Sequence, residues 1–197
     1  MRDSNFYRYF LASRPNPPVC ALLVALRGST GQLDKPVATD RLHLTWCVIA
    51  ETLERDRFML PRVEAALSGQ RLSSGPLWLG RVRGGKQGAA VYSRSRKPEL
   101  LRLYRQLASI LSVRDIHPMY RKSGLDPHIT LGHDPCAFQT FRILHEWIPD
   151  ELLLIESEVG CGVHHVLARW PLLPPLQGLL LFEPLPPPLV LVAGGAG

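Results

Sequence analysis

Two short segments of this chain carry the same pattern: His43-Leu44-Thr45-Trp46 and His128-Ile129-Thr130-Leu131. Each runs histidine, aliphatic, threonine, large apolar. In a strand, residues i and i+2 share a face. Each copy therefore presents an imidazole beside a hydroxyl, while Leu44 and Ile129 turn into a packed layer. The chain holds seven histidines in 197 residues, and at that density chance supplies well under one His-x-Thr. A lone copy would carry no message; two copies in apolar surroundings do. Imidazole, with an ordinary pKa of about 6.5, serves as base or acid at neutral pH. In-line displacement at a phosphodiester needs both: a base for the nucleophile and an acid for the departing oxygen. Two imidazoles on opposite sides of one phosphate meet that need without a metal. The threonine hydroxyls can donate to the non-bridging oxygens, where charge must be held in the transition state. His43, Thr45, His128 and Thr130 are the candidate catalytic residues.

The elements that must position them can be read along the chain. Asn5 to Leu11 predicts a first strand, and Pro17 and Pro18 open a helix through Leu26. Gly28 to Asp40 is a loop, and Leu42 to Ile49 an internal strand carrying the first motif. A helix is expected over Arg57 to Leu67, then a hairpin of Leu77–Val82 and Ala89–Tyr92 across a glycine-rich turn. From Pro98, Leu100, Leu103, Tyr104, Leu107, Ile110 and Leu111 fall on one helical face. His128 to Leu131 forms the strand of the second motif. Glu151–Ser157 and Val163–Trp170 make a closing hairpin around Gly160-Cys161-Gly162. This order predicts an α+β fold with largely antiparallel sheets. The motifs lie about half a chain apart, so each can come from one of two similar lobes.

These residues resemble a known family, the 2H phosphoesterases, and within it the bacterial 2'-5' RNA ligase or RNA 2',3'-cyclic phosphodiesterase group. The two tetrapeptides carry the likeness, supported by Asp126-Pro127 before the second histidine and by the segment from Ser157 to Leu172. The resemblance covers roughly Phe6 to Leu172. It implies a bilobal fold of two mostly antiparallel sheets with flanking helices and pseudo-two-fold symmetry around a central cleft. Composition sets a proline-rich apolar tail, residues 173–197, which matches nothing in the family, apart from one domain, residues 1–172. The resemblance implies hydrolysis of RNA 2',3'-cyclic phosphate ends to 2'-phosphates, with reversible ATP-independent 2'-5' ligation in some members. His128 is then the base on water and His43 the acid toward the leaving 3'-oxygen. Family members often carry an arginine shortly after the second motif. Here Gly132-His133 stands in that stretch, leaving His133, or Arg121 and Lys122 before the motif, to supply the charge on the phosphate.

The net charge of +6 suits a polyanionic partner such as RNA. Hydrophobic content of 46% is that of a folded chain, and no apolar run approaches a membrane span. Cys20, Cys47, Cys136 and Cys161 are scattered and form no Cys-x-x-Cys pair, which speaks against a zinc ribbon or a disulfide framework. Cys161, His164 and His165 make a poor metal set, because neighbours on a strand face opposite ways. The expectation is a cytoplasmic monomer with no metal or other cofactor and no membrane partner. Its substrate is an RNA end or a small cyclic nucleotide. Tyr120 or Phe6 would stack a base. Three other readings stay open: a non-catalytic RNA-end-binding module, an enzyme for 2'-5' oligoadenylate or an ADP-ribose cyclic phosphate, and a metal-dependent hydrolase.

Overall fold

The side-chain oxygen of Asn16 accepts the backbone N–H of Val19 at 3.2 Å, and the two prolines that follow Asn16 sit in the first helical turn. There the first N–H groups have no intrahelical acceptor to lose, so the prolines cost nothing. In the computed structural model, residues 6–29, 33, 35–85, 88–94, 97–119, 127–133 and 141–174 are described. The helix so started, α1 (Pro17–Ser29), connects β1 (Phe6–Ser13) to β2 (Leu44–Thr52). Next come α2 (Met59–Leu67), β3 (Leu77–Gly85), β4 (Gly88–Ser93), α3 (Lys97–Ser112) and β5 (His128–Gly132). The chain continues through β6 (Phe141–Trp147), β7 (Glu151–Val159) and β8 (Val163–Pro171).

The strands form one antiparallel sheet in the order β6-β3-β4-β5-β2-β1-β7-β8. The sequence predicts two sheets; the described strands make a single ladder instead. Its middle is thin, because β2 and β5 share one register pair, Leu44 with Ile129. On either side the halves correspond: β2-β1-β7-β8 against β5-β4-β3-β6. The unit β1-α1-β2 answers β4-α3-β5. Even the connections correspond. The segment after α1 bridges Pro36 to Gly132 of the opposite half, and the segment after α3 bridges Met119 to Val48. Val37 N–H donates to the Leu131 carbonyl at 2.9 Å and Met119 N–H to the Val48 carbonyl at 2.8 Å. The pseudo-two-fold axis therefore runs through the Leu44–Ile129 pair.

One face of the sheet is packed by the helices. Val19, Leu23 and Leu26 of α1, Met59 and Val63 of α2, and Leu103, Leu107 and Leu111 of α3 meet Leu11, Leu44, Trp46, Val91, Ile129 and Leu131 in one buried core. Trp46 packs inward as its size requires, and its indole N–H donates to Ser13 Oγ at 2.9 Å. The other face of the β1–β7 region holds a smaller apolar cluster of Phe10, Ala12, Leu153 and Ile155. Strand β6 has no counterpart in the sequence reading. Its apolar residues Phe141, Ile143, Leu144 and Trp147 fit both periods in part: Phe141, Ile143 and Trp147 alternate, but Leu144 and His145 interrupt the pattern. It is the sheet's last strand on that side, held by β3, with Trp147 buried and Arg142, Leu144 and Glu146 facing solvent. Beyond Pro171, Leu172 is buried and Leu173 still pairs with Ser73. Residues from 175 onward lie outside the described ones, and with them the expectation of a peripheral tail.

Candidate active site

The axis places the two motifs side by side. Antiparallel pairing around Leu44–Ile129 sets His43 across from Thr130 and Thr45 across from His128. Leu44 and Ile129 are fully buried in the helix-side core, so all four polar side chains stand on the opposite, open face. Diagonal neighbours in such a ladder are about 7–8 Å apart, a gap suited to a phosphoryl group between the histidines. A cleft of about 700 Å³ opens there, lined by His43, Thr45, His128, Thr130 and His133 among others. The structure thus brings together five of the seven candidates. Arg121 and Lys122 lie outside the described residues, as does Tyr120.

Each histidine leans on an aromatic ring from the neighbouring strand. Phe10 of β1 lies 5.0 Å from the His43 ring at 33°, and Tyr92 of β4 lies 5.4 Å from the His128 ring at 32°. These aromatics occupy corresponding places in the two halves, and the sequence singles out neither. Phe6, which it does single out, sits at the far end of β1 with the Arg8 guanidinium over its ring.

His43 is fixed in one tautomer. Its Nδ1 is 2.7 Å from the Arg41 carbonyl oxygen, which can only accept, so Nδ1 carries the proton and Nε2 is left bare. Burial holds its pKa below the ordinary value. The Arg41 carbonyl pulls the other way, while the positive charge of Arg14, His128 and His133 adds to the depression. In the free protein His43 is therefore a neutral imidazole with its lone pair available, which is a base. The family resemblance makes it the acid; burial and the fixed tautomer favour the opposite allocation.

A third imidazole closes the pocket. His164 on β8 lies 5.2 Å from the His43 ring and 5.8 Å from Phe10. Its pKa is depressed to about 4 by burial, then by repulsion from the protonated form of His43 and from the charges of Arg41 and Arg14. Its Nδ1 is buried with no hydrogen-bond partner among the described residues. The β7–β8 pairing, counted from the hairpin turn, decides which histidine faces the cleft: His164 pairs with Ser157 and His165 with Glu156. His164 does, and His165 is exposed on the other side. The cluster with Cys161 accordingly dissolves, and among the described residues no group of three ligating side chains could hold a metal ion.

The glycine after the second motif has a local cause. A side chain at 132 would press to 3.1 Å from Leu33 Cδ1 and 3.2 Å from the Lys35 carbonyl oxygen, so glycine lets the segment after α1 cross β5 closely. That crossing carries Lys35 into the cleft lining beside His133, whose N–H donates to the Lys35 carbonyl at 3.4 Å. Arg41 lines the cleft too, and its guanidinium donates to the Gly162 carbonyl. Gly162, at φ +66°, leaves room for that contact. Cationic character therefore comes from segments far from the second motif in sequence.

No protein-family model and no curated protein sequence matches the chain. Solved structures do. Escherichia coli LigT complexed with 3'-AMP is 22% identical, with a TM-score of 0.63 over 86% of this chain and 99% of LigT. LigT in its apo form gives 0.66 over the same shares. TT0787 of Thermus thermophilus is 23% identical, with a TM-score of 0.66 over 84% of this chain and 97% of that one. The chain has the LigT-like 2H phosphoesterase fold. Among the described residues no helix is long and apolar enough to cross a membrane.

Proposed function

We propose that the chain is a metal-independent phosphodiesterase that opens 2',3'-cyclic phosphate ends of RNA to 2'-phosphates. The observation that carries this reading is the pairing of Leu44 with Ile129, which sets two His-x-Thr motifs face to face across one cleft. With the cyclic phosphate between the imidazoles, His43 Nε2 takes a proton from water as the water oxygen bonds to phosphorus. The P–O3' bond breaks, and the 3'-oxygen receives a proton from His128. Thr45 and Thr130 donate to the non-bridging oxygens as charge builds there. With a 5'-hydroxyl in place of water, the same step in the same direction breaks P–O3' and joins a 2'-5' linkage without ATP; its reverse, attack of the 3'-oxygen with loss of the 5'-hydroxyl, regenerates the cyclic phosphate. The LigT fold supports this reading, as do the LigT structures complexed with 3'-AMP and with phosphate. Both molecules would suit a cleft with this lining.

The test is hydrolysis of a 2',3'-cyclic mononucleotide and of an oligoribonucleotide with that end, in EDTA, with the product isomer identified. Turnover to the 2'-phosphate is expected. A 3'-phosphate product would overturn the leaving-group assignment, and activity abolished by EDTA would overturn the metal-free mechanism. Absence of turnover on both substrates would leave an end-binding module as the better reading.

A further inference from the structure

Paired residues in an antiparallel sheet project to the same face, so register pairs can be followed outward from the cleft. His128 pairs with Tyr92, Tyr92 with Arg81, and Arg81 with Arg142, one row across β5, β4, β3 and β6. A parallel row runs from Thr130 through Ala90 to Arg83. The open face that bears the second motif therefore continues into a field of guanidinium groups. There lies a separate groove of about 360 Å³, lined by Arg81, Arg83, Arg94, Arg142 and Tyr92. Gly80 shapes its floor, since a side chain there would collide with Cβ of Arg94. Tyr92 joins the two sites: it meets His128 with its ring, and the Arg83 guanidinium lies 5.5 Å from its centroid.

All four arginines are exposed, and among the described residues none has an ion-pair partner. Like charges gathered without a counter-charge repel one another and gain nothing from folding. They gain from a polyanion, and arginine's planar fork suits phosphate. Strands spaced about 4.8 Å apart put β3 about 10 Å and β6 about 14 Å from β5. At those distances the guanidinium groups meet backbone phosphates further along a strand, not the phosphate held between the histidines.

We infer that this groove is a second binding site, for the sugar-phosphate backbone of a single-stranded oligoribonucleotide whose cyclic end lies between His43 and His128. The inference rests on the function proposed above and narrows its substrate to strands over mononucleotides. Tyr92 offers a stacking surface where the strand leaves the cleft.

The experiment compares wild type with R81A/R142A, a variant that leaves Arg83 on Tyr92. Binding of a fluorescent dinucleotide and of an octanucleotide, both ending in an unreactive 3'-phosphate, is followed by anisotropy at several salt concentrations. The octanucleotide should bind wild type at least about tenfold tighter than the dinucleotide, and the variant should lose most of that ratio. Its salt slope for the octanucleotide should fall by about 1.4, the value for two lost phosphate contacts on a single strand. Hydrolysis of a 2',3'-cyclic mononucleotide, too short to reach β6, should change less than about threefold. Equal binding of both lengths by wild type, or an unchanged ratio and slope in the variant, would overturn the groove. Failure of wild type to hydrolyse both the mononucleotide and an octanucleotide with a 2',3'-cyclic end would count instead against the proposed reaction, because binding is read on unreactive ends.

Discussion

The two halves of the sheet bring matching parts to the cleft and surround them differently. Each gives a histidine, a threonine two residues on, and an aromatic ring tilted against the imidazole. Behind Phe10 and His43 the first half continues into buried apolar side chains and a second depressed imidazole, His164. Behind Tyr92 and His128 the other half continues into exposed arginines. One imidazole is thus desolvated, while the other borders a charged, solvated surface. General acid–base chemistry needs two like groups in unlike protonation states. A duplicated motif cannot supply that difference by itself; the burial that lowers the pKa of His43 belongs to the packing of the first half.

The largest effect expected is on turnover. His43→Ala and His128→Ala should each lower kcat on the 2',3'-cyclic substrate by about 10²–10⁴-fold, the usual share of a general acid or base. The residual pH profiles carry the comparison. The acid limb of kcat/KM should lie below pH 6.5, because burial lowers the pKa of His43 and the base must be unprotonated. His43→Ala should flatten that limb and His128→Ala the alkaline one. Exchange of the two limbs would restore the reverse allocation of roles. The aromatic partners should separate just as clearly in stability. Phe10, 3% exposed among Ala12, Leu153 and Ile155, should cost about 3–5 kcal/mol on truncation to alanine. Half-buried Tyr92 should cost about 1–2 kcal/mol. Urea midpoints would measure both, and equal losses would mean that the second half is as tightly packed as the first.

What the sequence made legible follows the same divide between local and distant causes. The motifs stand out because strand periodicity acts within three residues, and α1 and α3 because prolines and an apolar stripe mark them directly. The single ladder is hidden, since β2 and β5 share one register pair, Leu44–Ile129, and no composition signal attends it. His164 is hidden for a sharper reason. Its sequence offers two adjacent histidines, and the pairing of β7 with β8 chooses between them. Arg81 and Arg83 look like ordinary surface charge until β3 is placed beside β4. Arg41 and Lys35 reach the cleft through loops whose paths depend on glycines at 162 and 132. Arg121 and Lys122, the cations nearest the motif in sequence, lie outside the described residues.

A smaller effect tests the symmetry that remains. Thr45 and Thr130 stand in equivalent positions across the Leu44–Ile129 pair, and both line the cleft. Thr45→Val and Thr130→Val should each lower kcat by about 10²-fold through loss of a donor to the phosphoryl oxygens. The two losses should agree within a few-fold. A large effect from one alone would mean that a single threonine holds the transition-state charge and that the other serves packing.

The smallest effect isolates the desolvated half. His164 titrates at about 4 in the folded chain and, like any exposed histidine, at about 6.5 when unfolded. Between those values the unfolded chain binds a proton that the folded chain refuses. Stability contributed by this group is therefore present above about pH 6.5 and is lost progressively as pH falls toward 4. His43, also depressed, contributes in the same direction. Melting temperatures at pH 7, 5.5 and 4.5 should fall more steeply for wild type than for His164→Gln, which keeps a polar side chain of similar reach but cannot titrate. If the two curves stay parallel, His164 is not held neutral by its surroundings, and the contrast in solvation between the halves is weaker than their burial implies. If His164→Gln flattens the curve, the cost of keeping imidazoles uncharged beside Phe10 is a property of the first half's packing, separable from the chemistry at His43.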